Sequence, residues 1–177
     1  LSGTYDEEKA VLLSLDNGPI TLTEKGIYVL RGTLTGGSVC VDADEKAKVQ
    51  LVLDGAEIDC SGTAAILVRN ADKVFVTLKE GTENRICVQG DYTGDEELNI
   101  DAAVFSTCDL TLNGSGSLYV SAEYGHGIVS KKDLVITGGT YTVTCEKNAF
   151  DGKKSLSVCC ADVTAVAGGG SADAEMK

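Results

Sequence analysis

The stretch that decides the fold covers residues 101–167, where one layout occurs three times. The copies read DAAVFSTCDLTLNGSGSLYVSA from Asp101, GHGIVSKKDLVITGGTYTVTC from Gly125 and KNAFDGKKSLSVCCADVTAVA from Lys147. Each copy holds two or three short runs in which apolar and polar residues alternate, and none has the spacing of an amphipathic helix. The pattern therefore predicts short β-strands that recur at a fixed interval.

Matching positions in the three copies lie 22–24 residues apart. Each copy opens on a small residue followed by an apolar one, and its first strand has a leucine at one fixed place. The openings are Ala103, Gly127 and Ala149, and the leucines are Leu110, Leu134 and Leu156. A unit this small cannot bury its apolar face alone, so it packs on a copy of itself. We expect the three leucines to lie directly above one another.

The same alternation extends back to Ile20, so the repeats cover most of the chain. The sequence predicts an all-β fold, a right-handed parallel β-helix (a solenoid) of about six rungs of roughly 22–24 residues. We expect a single domain over residues 1–177, with an N-terminal cap at 1–18 and an inserted acidic loop at 89–101. Residues 168–177 would begin a further rung, so we expect the native protein to extend beyond Lys177.

The charge of the chain limits its partners. It has 27 acidic and 15 basic residues, for a formal net charge of −12. Such a chain repels nucleic acid and anionic membrane surfaces. No apolar run approaches the about 18 residues that a membrane span requires, and no signal peptide is visible in this chain. We therefore expect neither nucleic acid nor membrane insertion.

The seven cysteines do not form a recognisable disulfide or metal motif. Their number is odd, and no pair has the C-x-x-C spacing of zinc or redox sites. Cys60 and Cys145 fall at the end of a repeat's second strand, so we interpret them as small apolar residues inside the stack. Adjacent Cys159 and Cys160 are expected to place one side chain inward and the other outward.

Two groups of segments resemble a known family. The first reads GIYVLRGTLTGG, KVQLVLDGAEI and AAILVRNADKVFVTLKEGTEN; the second reads DAAVFSTCDLTLNGSGSL, GHGIVSKKDLVITGGTYTV and NAFDGKKSL. In order and spacing they resemble a secreted bacterial carbohydrate-binding domain family with a polysaccharide-lyase-like right-handed parallel β-helix. The resemblance covers about residues 19–165.

The resemblance implies an extracellular or cell-surface protein without established catalytic activity. It implies binding of plant-type polysaccharides, cellulose and polygalacturonate among them, together with bound calcium. This chain departs from the family in its cysteine content, and it has Gly125-His126-Gly127 where family members usually carry Asp-Asp-Gly.

An acidic segment is the candidate calcium site. Clustered carboxylates supply the oxygen ligands that a hard cation needs, and the family has an acidic loop at this place as well. The alternative is a solvated acidic loop. The candidate ligands are Asp91, Asp95, Glu96 and Asp101.

Stacking of the repeats would bring four lysines of two rungs together. Like charges this close repel one another, and an anionic ligand such as a uronate chain would relieve the repulsion, although Asp133 and Asp151 would do so equally well. The candidate carbohydrate-binding lysines are Lys131, Lys132, Lys153 and Lys154.

Aromatic side chains offer flat apolar faces to sugar rings. Tyr92, Tyr124 and an outward Tyr119 are candidates, and His126 lies beside Tyr124 at the same edge of a rung. Tyr141 aligns with Leu118 and is expected to point inward. The alternative is that these are ordinary surface aromatics.

Two other classes of function stay open. A lyase would use Lys153 or Lys154 beside Asp151 as its base, and a glycosidase would use the aligned pair Glu123 and Glu146. A structural protein would instead associate end to end through an open strand edge.

Overall fold

The computed structural model describes residues 3–93 and 97–168. These residues form seventeen strands, and two short 3₁₀ helices cover Glu7–Lys9 and Leu15–Asn17. The strands of the first half are β1 (Ala10–Ser14), β2 (Ile20–Leu22), β3 (Gly26–Thr35), β4 (Val39–Asp42), β5 (Lys48–Ser61), β6 (Ile66–Asn70), β7 (Lys73–Leu78) and β8 (Glu83–Gln89).

The strands of the second half repeat a three-strand pattern. They are β9 (Ala102–Ser106), β10 (Asp109–Gly114), β11 (Ser117–Ala122), β12 (His126–Ser130), β13 (Asp133–Ile136), β14 (Thr140–Cys145), β15 (Phe150–Gly152), β16 (Ser155–Val158) and β17 (Asp162–Val166). Within the described residues, no helix is long and apolar enough to cross a lipid bilayer.

The strands assemble into two sheets. The smaller sheet has six strands in the order β15-β12-β9-β6-β4-β2. The larger sheet has eleven, with the path β16-β13-β10-β7-β5-β8-β11-β14-β17, and β3 pairs with both β5 and β1. Every strand pair that the structure describes is parallel, as the repeats predicted.

The long strand β5 curls the larger sheet into half a barrel. Its first half, Lys48 to Leu53, pairs with β7, and its second half, Glu57 to Ser61, pairs with β8. The strand turns between these halves without a break, and Gly55 at the turn has φ +72°. The sheet therefore divides into two arms that both start on β5.

The predicted right-handed β-helix solenoid of about six regular rungs is therefore wrong, although the all-β prediction is correct. A regular solenoid repeats the same set of strands in every rung, whereas the single strand β5 lies opposite the two separate strands β7 and β8. Strands β3 and β5 continue through the bend of the larger sheet. They pair with each other before and after it, with a register shift between Leu30 and Gly32. The result is two sheets, one of them curled.

The predicted register of the buried ladder is confirmed. Leu110 pairs with Leu134, and Leu134 pairs with Leu156. Cys60, Val88, Ala122 and Cys145 likewise succeed one another in register, and all four are buried. Tyr141 pairs with Leu118 and is fully buried, also as predicted.

The ends of the chain and the acidic segment can be described only in part. Within the predicted N-terminal cap, β1 pairs with β3. In the predicted loop 89–101, residues 90–93 and 97–101 contain no strand. The predicted further rung at 168–177 lies almost entirely outside the described residues.

The leucine ladder yields a stability prediction. Leu134 is fully buried between two ladder neighbours, whereas Leu156 at the edge keeps 46% of its surface exposed. Replacing Leu134 with Ala should lower the free energy of unfolding by about 2–5 kcal/mol. Leu156→Ala, the matched control, should lower it by no more than about 1 kcal/mol. Urea denaturation of both variants measures the difference, and equal losses would contradict the ladder.

Candidate functional site

One arm of the larger sheet presents a continuous row of outward side chains. Strands β8, β11 and β14 lie side by side, and Arg85 pairs with Tyr119, which pairs with Thr142. The alternate residues of these strands point inward, and Ile86, Val120 and Val143 among them are buried. Because side chains alternate along a strand, the register fixes this row on the outer face.

Tyr119 is the aromatic centre of this row. The residue is 38% exposed, and the guanidinium carbon of Arg85 lies 5.9 Å from its ring centroid. This is within the distance at which a cation is attracted to an aromatic ring. The arginine therefore helps to fix the ring's orientation while leaving part of the ring accessible.

A shallow groove of about 330 Å³ surrounds the Tyr119 ring. Carboxylates, hydroxyls and a guanidinium line it beside the ring, so that an apolar face stands among groups that donate or accept hydrogen bonds. We call this groove the tyrosine shelf; it is lined by Glu57, Glu83, Arg85, Ser117, Tyr119, Thr140 and Thr142 among others.

A buried asparagine supports the tyrosine shelf from below. The Asn84 side-chain oxygen accepts a hydrogen bond of 2.9 Å from the Ala56 N–H, and its amide nitrogen donates one of 3.1 Å to the Ser117 carbonyl. It therefore ties together β5, β8 and β11. Buried polar groups that are fully paired hold one arrangement of a sheet.

A second groove, of about 510 Å³, lies on the other arm near the start of the chain. We call it the lysine groove; it is lined by Lys9, Lys25, Gly26, Ile27, Lys46, Lys48, Val49, Gln50 and Phe75. The ammonium group of Lys73 lies 5.6 Å from the Phe75 ring centroid and adds a fifth lysine.

The lysine groove concentrates positive charge on an acidic protein. Lys48 and Lys73 pair in register, so two ammonium-bearing residues lie on adjacent strands. Like charges directly opposite each other are destabilising. Nearby carboxylates offset this in part, since Lys9 contacts Asp6 at 2.6 Å and Lys48 lies 4.0 Å from Asp72. The groove remains suited to an anionic ligand.

The four lysines that the repeats were expected to bring together have different surroundings in the structure. The backbone stack is present, because the Lys154 N–H donates to the Lys132 carbonyl at 3.1 Å. The ammonium group of Lys131 lies 5.0 Å from the Phe105 ring centroid, and that of Lys153 contacts Asp151 at 2.6 Å. Lys132 and Lys154 are exposed. Their role in carbohydrate binding stays a prediction.

Tyr124 and Tyr92, two of the predicted aromatic contacts, differ in how accessible they are. Tyr124 is 41% exposed. Tyr92 packs against the hydrophobic core, and burial raises its pKa above the ordinary range for tyrosine. Its hydroxyl is buried and has no hydrogen-bond partner among the described residues. Of these two, Tyr124 presents the more accessible ring to a ligand.

His126 lies in the interior and not at an exposed edge. Its Nδ1 accepts a hydrogen bond of 3.1 Å from the Asn148 N–H, and its Nε2 lies 3.6 Å from an Asp101 carboxylate oxygen. Burial lowers the pKa of His126, although Asp101 opposes this shift. A neutral ring with Nδ1 as acceptor braces the turn that precedes β15.

The predicted calcium ligands are only partly described. Asp95 and Glu96 lie outside the described residues. Asp91 is exposed, and Asp101 is half-buried with one oxygen that has no described hydrogen-bond partner. Calcium takes about six to eight oxygen ligands, and the described residues contain no cluster of three or more His, Cys, Asp or Glu that could hold a metal. The described residues alone do not fit calcium, and its binding stays a prediction.

The carboxylates of the glycosidase alternative have structural partners. A Glu123 oxygen accepts the Gly90 N–H at 2.9 Å, and a Glu146 oxygen accepts the Gly125 N–H at 2.9 Å. Each carboxylate therefore caps a turn of the neighbouring repeat. In the lyase alternative, Lys153 is held by its ion pair with Asp151.

Sequence reasoning named Tyr119 as outward but missed the rest of both grooves. The position of Arg85 two residues into a strand was a usable signal once that strand was aligned with β11. The lysine groove gave a partial signal, because Lys48 and Lys73 open two aligned strands that read KVQLVL and KVFVTL. Lys9, Lys25 and Lys46 have no such alignment.

The comparisons with known proteins agree with this fold. A family model described as carbohydrate-binding domain-containing protein matches residues 16–176, and the chain belongs to this family. A carbohydrate-binding domain-containing protein of Acetivibrio thermocellus is 33% identical over 133 residues. This match covers 74% of the chain and 46% of the relative, so the chain spans about half the length of that relative.

A solved structure shares the fold. The polysaccharide lyase-like protein from C. thermocellum, solved as a gadolinium derivative, aligns with a TM-score of 0.72 and 21% identity. The alignment covers 90% of this chain and 91% of that one. At this identity the likeness shows a polysaccharide lyase-like fold and nothing further about activity. The family model and the relative from Acetivibrio thermocellus confirm the predicted family.

Proposed function

We propose that the chain is an extracellular, non-catalytic module that binds plant-type polysaccharide, with the tyrosine shelf as its main binding surface. The observation that carries this proposal is the half-accessible Tyr119 ring, oriented by Arg85 and surrounded by hydroxyl and carboxylate groups. Membership of a carbohydrate-binding domain family supports it.

The chemistry of the shelf suits a neutral, extended glycan such as cellulose. The apolar face of a sugar ring packs on an aromatic ring, while its hydroxyls exchange hydrogen bonds with Glu57, Glu83 or Thr142. Adjacent strands lie about 4.8 Å apart, so the outward row from Arg85 to Thr164 on β17 extends roughly 14 Å. That length accommodates more than one ring of a linear chain.

The absence of catalysis in this proposal rests on how the carboxylates are used. Glu123 and Glu146 each accept a backbone hydrogen bond and so act as turn caps. The shelf carboxylates Glu57 and Glu83 lie beside Arg85 and Tyr119 on an open sheet face. We assign them to hydrogen bonding with sugar hydroxyls.

A second ligand, an acidic polysaccharide such as polygalacturonate, is favoured by the lysine groove. Four lysines line it, and Lys73 lies over the half-buried Phe75 ring. A uronate chain supplies the carboxylates that would neutralise those lysines. Calcium association is also part of the proposal and rests on the family resemblance. End-to-end self-association is part of it too and rests on the open strand edges.

The tyrosine shelf is tested by paired tyrosine variants. Tyr119→Ala removes the ring on which a sugar packs, a contact of about 1.4 kcal/mol, and should weaken binding to insoluble cellulose about tenfold. Tyr124→Ala removes an equally exposed tyrosine that lies off the shelf and should leave binding unchanged. Depletion isotherms, with circular dichroism to check the fold, measure both.

The opposite result for the two tyrosine variants would place the cellulose-binding surface elsewhere. If Tyr124→Ala abolishes cellulose binding and Tyr119→Ala does not, then the shelf is not the binding surface and the edge near Tyr124 is. Release of soluble sugar or of unsaturated uronate by the unmodified chain would contradict the non-catalytic assignment.

The lysine groove is tested by charge removal. The double variant Lys48→Gln/Lys73→Gln should weaken polygalacturonate binding about tenfold, corresponding to roughly 1.4 kcal/mol. Its binding should also depend less on added salt, because fewer exposed charges are screened. The comparison variant Lys131→Gln/Lys132→Gln removes the same charge at the other candidate lysines. A loss in this variant that equals or exceeds the loss in Lys48→Gln/Lys73→Gln would contradict the groove as the polygalacturonate site.

A further inference from the structure

Two adjacent cysteines stand at the surface directly after β16. The sulfur atoms of Cys159 and Cys160 lie 2.9 Å apart, and both residues are exposed. The expectation that one of them points inward is therefore wrong. Among the other five cysteines four are buried and Cys40 is half-buried. Among the described residues, Cys159 and Cys160 are the two cysteines whose thiols are exposed.

The backbone at Cys160 explains why both side chains reach the same side. In an extended strand successive side chains point to opposite faces. Cys160 instead has φ +58°, in the left-handed region that residues with a Cβ seldom adopt. The Cys159 N–H still donates to the Ile136 carbonyl at 2.8 Å, so the chain turns immediately after its last strand hydrogen bond.

Unusual backbone conformations of this kind often accompany a chemical role. Adjacent Cα atoms lie about 3.8 Å apart, closer than the usual 4.4–6.8 Å of a disulfide. A bond between neighbouring cysteines therefore requires a tight turn that brings both sulfur atoms together. The left-handed residue at position 160 supplies such a turn before any bond forms.

We propose that Cys159 and Cys160 are a redox modification site that closes reversibly to a vicinal disulfide. The oxidant is a low-molecular-weight disulfide, and the reductant is a low-molecular-weight thiol. Because the bond would be exposed, it should be readily reduced, unlike the buried disulfides that stabilise secreted proteins. Closure would fix the turn between β16 and β17 at the edge of the larger sheet.

The exchange proceeds in two balanced steps. One cysteine thiolate attacks a sulfur of the oxidant, which forms a mixed disulfide and releases one thiol molecule. The neighbouring thiolate then attacks the protein sulfur of that mixed disulfide, which closes the ring and releases the second thiol molecule. The protein gives up two protons and two electrons, and the oxidant takes up both as it becomes two thiols.

Burial protects the other cysteines from this reaction. Thiolate is the reactive form, and burial raises the pKa of Cys60 to about 11. Burial raises the pKa of Cys87, Cys108 and Cys145 as well. The pKa of Cys159 is also raised, because its side chain shares a hydrogen bond with Cys160. The exchange is therefore best followed in mildly alkaline buffer.

The test uses the whole chain and oxidised glutathione. After incubation, accessible thiols are alkylated with N-ethylmaleimide and the protein is digested with trypsin. The mass of the peptide 155–177 is then measured by mass spectrometry. This peptide contains Cys159 and Cys160 and no other cysteine. It should carry no alkyl group and should weigh two hydrogen atoms less than the dithiol form. If the oxidised protein is treated with reduced glutathione before the alkylation, the peptide should carry two alkyl groups.

Single variants separate ring closure from simple thiol reactivity. Cys159→Ser and Cys160→Ser each lack the second thiol, so the peptide should retain one glutathione. Cys40→Ser alters the half-buried cysteine and should close the ring as the unmodified chain does. The proposal is overturned if the unmodified chain keeps glutathione on this peptide, takes up two alkyl groups after oxidation, or cross-links to a second chain.

Discussion

Parallel backbone hydrogen bonding along β5 is the interaction on which the rest of the structure depends. Each half of this strand has a different partner on one side, β7 for the first half and β8 for the second, while β3 follows it along the other side. The strand bends at Gly55, where the pairing with β7 has ended, that with β8 has not begun and the register with β3 shifts. The Asn84 side chain accepts the Ala56 N–H at this interruption.

The two candidate binding surfaces follow from these arms. In-register parallel pairing repeats the same outward position from strand to strand, so each arm carries rows of aligned side chains. On the β8 side the row holds Arg85, Tyr119 and Thr142 and forms the tyrosine shelf. On the β7 side, Lys48 and Lys73 align beside Phe75 in the lysine groove. One chain thus has an aromatic, hydroxyl-rich surface and a cationic surface on separate parts of a single sheet.

The sequence predicted what periodicity controls. Strand type, parallel pairing and the alignment of Leu110, Leu134 and Leu156 all follow from a repeat interval. The architecture was missed because an interval does not reveal whether a strand ends at a corner or bends through it, as β5 does at Gly55. The sequence offered Asp151 as a partner for the lysines, and Asp151 contacts Lys153. It did not indicate that Lys131 lies over the Phe105 ring, because a repeat interval does not specify where a long side chain rests.

The most direct test of this account is amide hydrogen exchange along β5, resolved residue by residue. The pairing predicts slow exchange over Lys48–Leu53 and Glu57–Ser61, with the Ala56 amide between them protected by its hydrogen bond to Asn84. Exchange of the Ala56 amide as rapid as that of an unpaired loop would contradict it. That result would mean two separate strands meeting at an open corner, and the larger sheet would not be one curled unit.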